Sequence, residues 1–110
     1  MPKIDNDVKI TAKSVIKGNE NRKKRIRLKK ASPFDLLAAV EIERCLGDLW
    51  PNVENMKVRK TMQGNVYKSI VYDMPYEHTC NPMCGRRQFY EARNELVRMV
   101  AVALDMAPGE

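Results

Sequence analysis

Apolar and polar residues alternate near the start of the chain. Val8, Ile10 and Ala12 are interleaved with Lys9, Thr11 and Lys13, and the apolar series continues to Val15 and Ile16. A period of two is that of a strand with one buried and one solvated face. Lys17 to Asn21 (KGNEN) is a run of turn formers, after which Arg25-Ile26-Arg27-Leu28-Lys29 alternates again. The pattern predicts a hairpin, or a basic arm, over residues 7–30.

The period then changes. Ser32-Pro33-Phe34-Asp35 reads as a helix start, with Ser as N-cap, Pro in the first turn and an acid three residues after the cap. Phe34, Ala38, Ile42, Cys45 and Leu49 follow on one helical stripe, and Trp50-Pro51-Asn52 closes it. Residues 56–62 and 65–72 are rich in β-formers and flank Gly64-Asn65, a tight-turn pair, which predicts a second hairpin. A loop over 73–85 leads to a last helix over 86–106, with Phe89, Ala92, Leu96, Met99, Val100 and Ala103 as its core stripe. The expected fold class is α+β in the order β-β-α-β-β-α: an antiparallel sheet of two hairpins with both helices on one face. The other face is left for a ligand or a second copy, and a single domain over 1–110 is expected.

Charge sharpens this picture. Of the 20 Lys and Arg, 11 lie in residues 1–30 beside only 3 of the 14 acids, so this segment carries +8 and the remainder −2. A concentrated positive patch on a near-neutral body attracts polyanions, with nucleic acid as the natural partner. On a ribbon, Lys9 and Lys13 would share a face with Arg25, Arg27 and Lys29. Arg22, Lys23, Lys24 and Lys30 complete the candidate contacts. Arg86 and Arg87 open the last helix, where cations oppose the helix dipole, so they are candidates for a phosphate or for pairing with Glu91 or Asp73. Tyr76 and Tyr90 are the aromatics placed to stack a base or to pack a core.

His78, Cys80 and Cys84 place three zinc-type donors within seven residues, with Cys45 as a fourth or else a buried apolar thiol. Unliganded thiols or a Cys80–Cys84 disulfide are the alternatives. No enzyme is indicated: there is no Gly-rich phosphate loop, and Glu91 and Glu95, one helical turn apart, have Arg87 and Arg98 as ion-pair partners. The first residues lack the apolar core of a signal peptide and no apolar run approaches a membrane span. An intracellular location, cytoplasmic or nuclear, is therefore expected, with no membrane partner.

Gly85-Arg86-Arg87, then Glu91-Ala92-Arg93-Asn94 and Leu96, Val97, Ala101 and Leu104, resembles the end of a double-stranded RNA-binding domain. The match covers about the last 25 residues of the chain. The resemblance implies contact with an A-form duplex through phosphates and 2′-hydroxyls, with Arg86, Arg87 and Arg93 in that role. Phe89 and Tyr90 stand where the family has two lysines. The expectation is thus a nucleic-acid-binding protein without strong sequence preference, RNA ahead of DNA, acting as a homodimer. The alternative is an interaction or assembly module, or a ribonucleoprotein component, whose basic segment is a localisation or docking arm.

Overall fold

The computed structural model describes residues 5–79 and 83–106. Among these there is no strand. The described residues form five helices, α1 (Asn6–Lys17), α2 (Asn19–Arg27), α3 (Pro33–Gly47), α4 (Met56–Val71) and α5 (Arg86–Ala103), with a short 3-10 turn at Tyr76–His78. The expected α+β sheet of two hairpins is replaced by a helical bundle.

The first correction lies in α1. Val8, Ala12, Val15 and Ile16 satisfy a period of 3.6 better than a period of two, since Val15 and Ile16 are adjacent and cannot share one face of a strand. Ala12 and Ile16 are fully buried, whereas Ile10, which alternation would have turned inward, is 61 % exposed. The basic run is helical as well. Gly18 is not a hairpin turn: its N–H bonds the Ser14 carbonyl, its own carbonyl accepts from Arg22 N, and its φ is negative.

The second expected hairpin is one helix. In α4, Met62, Val66, Ser69 and Ile70 are buried at helical spacing, and Gly64 sits mid-helix with no positive φ. The Asn55 side chain caps it, accepting from the amides of Lys57 and Val58 at 3.1 and 3.2 Å. The buried Gln63 amide donates to the Leu49 carbonyl at 3.0 Å, and Arg59 donates to the same oxygen. These bonds satisfy carbonyls at the end of α3 that would otherwise lack partners. Local β-propensity yields here to the packing of one apolar stripe.

The helix start at Ser32 is present in full. The Asp35 amide donates to Ser32 Oγ at 3.1 Å, and Ser32 N donates back to Asp35 Oδ2 at 3.0 Å. Ala38, Ile42, Cys45 and Leu49 are buried, but Phe34 is not, lying about half exposed beside Arg22. The last helix buries Phe89, Ala92, Leu96, Val97, Val100 and Ala101. It stops three residues short of Met106, where Asp105 turns to φ 60 and Met106 N bonds back to the Ala101 carbonyl. Helix α5 is the hub, packing against α1, α3 and α4, and its most extensive contact is with α1. Phe89, Ile16, Ile42, Ile70 and Leu96 form the centre of the core.

Candidate nucleic-acid interface

Helix formation divides the basic run into inward and outward charges. Arg22 is only 5 % exposed. It donates to the Val15 carbonyl at 2.9 Å and to Asn19 Oδ1 at 3.1 Å, while its Nε, without a hydrogen bond, lies 3.6 Å from Asp35. Arg25 grips the same carboxylate in a fork, at 2.9 and 2.7 Å. The Arg25 bonds, with help from the Ser32 amide, hold the Asp35 carboxyl well below the usual range. Two of the expected contact residues therefore clamp α2 to the start of α3. Lys23 is held locally too, 3.3 Å from Glu20 and above the Tyr67 ring. Tyr67 donates its hydroxyl to Glu20 and accepts from Asn19, and burial with the Glu20 bond pushes its phenol up.

What remains faces water. Lys24, Arg27, Lys29 and Lys30 are exposed; Arg27 lies within the field of Glu20, and the three lysines have no acidic partner among the described residues. The α2 terminus closes with Lys29 N to the Ile26 carbonyl and Lys30 N to the Arg25 carbonyl, which places Lys29 at φ 58, in the left-handed region that glycine occupies most cheaply.

The other candidates separate. Lys9 is exposed on α1. Lys13 is half-buried near Arg93, Lys17 and Asp73; burial lowers its pKa first, and the two neighbouring cations lower it further. Lys17 bonds Asp73, and Arg93 donates to Ser69 Oγ at 3.1 Å. Arg86 pairs with Glu77 at 2.7 Å and lies over the Tyr90 ring, while Arg87 pairs with Glu91 at 2.9 Å. Both remain exposed, so these pairs are weak and exchangeable for a phosphate. Tyr76 and Tyr90 are engaged internally. Each meets Phe89 edge to face, Tyr76 N donates to Tyr90 Oη, and Tyr76 Oη donates to the Cys84 carbonyl.

Comparison with family models, curated proteins and solved structures finds no match. The strands that accompany the last helix in the double-stranded RNA-binding resemblance are absent among the described residues, where residues 56–71 form α4.

The zinc reading rests on a residue that lies outside the described structure. Cys80 lies outside the described residues, and among those described no group of three His, Cys, Asp or Glu could hold a metal ion. Cys45 is in the core, its thiol pushed up by burial, and burial raises partly buried Cys84 likewise. An open cleft of about 390 Å³ runs between the turn at 49–53 and α5. Its polar lining includes Glu91 and Glu95, the wrong sign for a polyanion. No helix among the described residues is long and apolar enough to cross a membrane.

Two features escaped the sequence reading. One is the role of Asp35 as the acceptor for both Arg22 and Arg25, though its place in the capping box was legible. The other is the outward face of α3, where Leu36, Leu37 and Val40 are exposed. Its signal was present: residues 33–47 are apolar on more than one face of the helix.

Proposed function

We propose that the protein binds nucleic acid through phosphate contacts made by the free end of α2, with Lys24, Arg27 and Lys29 as the principal cations. The observation carrying this reading is the cluster of exposed cations at the end of α2, where Lys24 and Lys29 have no acidic partner among the described residues. The left-handed backbone at Lys29 belongs to the closure of the helix, as it does at Asp105 after α5. Cations in the last turn of a helix are stabilising in their own right, which accounts for Lys24 and Arg27. Lys29 lies beyond the helix, and its exposed side chain has no acidic partner among the described residues. Arg86 and Arg87 form a second contact. The reading requires no base-specific chemistry, and the preference for an A-form duplex rests on the resemblance at α5.

The test is binding of matched RNA and DNA duplexes and single strands across a salt series. Log affinity falls linearly with log salt, and changing Lys24, Arg27 and Lys29 together to Gln flattens the slope by roughly 2–3 on a duplex, about 0.9 per phosphate contact. The single change Lys29→Gly raises stability while lowering affinity. An unchanged slope, or no binding to any of these ligands near 0.15 M salt, refutes the proposal.

A further inference from the structure

The buried side of α3 is accounted for by Ala38, Ile42, Cys45 and Leu49. The opposite side is apolar over its first two turns. Leu36, Leu37 and Val40 are 50, 51 and 62 % exposed, and Phe34 flanks them at 48 %. Scattered single apolar residues are ordinary on a surface, but contiguous ones on a rigid helix face mark a docking site. We propose that this face joins two copies of the chain, α3 against α3, antiparallel about a two-fold axis.

Charge selects the occupant. Helical spacing puts Glu43 on the same stripe as Leu36 and Val40, exposed and without a partner among the described residues. A carboxylate within the stripe disfavours an anionic lipid surface, and it disfavours nucleic acid. A second copy instead supplies the complement. With Leu36 of one copy over Val40 of the other, antiparallel packing sets Glu43 opposite Pro33 at the start of the partner copy's α3, three residues from Lys30, which is exposed and without a partner among the described residues. The two-fold axis makes this pairing twice, which is the self-complementarity an isologous interface requires. Leu36, Leu37 and Val40 form its apolar centre, while Glu43 and Lys30 form its polar rim. Neither step depends on nucleic-acid binding.

The experiment is sedimentation equilibrium of the full chain over a concentration series. Wild type shows a reversible monomer–dimer equilibrium. Val40→Glu weakens the dimer by roughly 30-fold or more, the scale of a central interface residue, with an unchanged melting curve at dilutions where wild type is monomeric, because the site is exposed in the monomer. Leu37→Gln acts in the same direction and serves if Val40→Glu fails to fold. Glu43→Lys and Lys30→Glu each weaken the dimer, and the two in one chain restore it. The proposal is overturned by wild type that stays monomeric to about 1 mM, by a dimer indifferent to Val40→Glu and Leu37→Gln, or by charge changes that merely add.

Discussion

Gly64 separates the helical architecture from a hairpin by the sign of one substitution. In α4 it lies mid-helix, its φ is not positive, and a Cβ built on it meets nothing within 4 Å. Alanine there would lose less backbone entropy on folding and adds no clash, which is worth about 0.5–1 kcal/mol. For a chain of 110 residues unfolding entropy is roughly 0.23 kcal/mol per kelvin near 60 °C, so the melting temperature rises by about 2–4 °C. In a two-residue hairpin loop the same glycine would occupy a positive φ, and alanine would destabilise by a similar or larger amount. Thermal and urea unfolding followed by far-UV circular dichroism decide between them, with the gain appearing in the midpoint at unchanged m. A lower midpoint for Gly64→Ala would refute the reasoning. As a second arm, Gly64→Pro removes a helical hydrogen bond and costs about 3 kcal/mol.

Other predictions address the core and the α2–α3 clamp. Phe89 is fully buried against Tyr76 and Tyr90, so Phe89→Ala loses about 3–5 kcal/mol, a large part of the 5–15 typical of a domain; urea unfolding would contradict this with a loss under about 1 kcal/mol. The Asp35 carboxyl is depressed in the folded state from its ordinary 3.8, so its stabilisation is present above that pH and lost as pH falls toward the folded value. Glu20, Asp73 and Glu77 are depressed too, held respectively by Tyr67, Lys17 and Arg86, and add to the acid lability. Asp35→Asn is therefore less stable than wild type at neutral pH, and the gap narrows as the solution is acidified below about pH 4. A gap constant with pH in urea titrations would show that the ionised form contributes nothing.

The helices at 33–47 and 86–103 were legible because their signals are local and mutually consistent: a capping box and proline before one, and long 3.6-residue stripes in both. The remaining elements were misread for a common reason. In residues 8–16 three alternating residues fit both periods, and the adjacent pair Val15-Ile16 was the discriminating evidence. In residues 56–72, β-branched and aromatic residues with a central glycine mimic a hairpin, whereas burial of Met62, Val66 and Ile70 together is a tertiary fact. The cationic site was legible as composition but not as geometry. Which arginines turn inward depends on Asp35, ten and thirteen residues away from Arg25 and Arg22, and periodicity carries no sign of that pairing.

The union of α1 with α5 has a consequence for how the molecule comes into being. Ala12 and Ile16 find their burial largely against a helix that begins at Arg86, so α1 is synthesised well before the helix that covers its apolar side. At ordinary synthesis rates of about 5–20 residues per second, that interval lasts for several seconds.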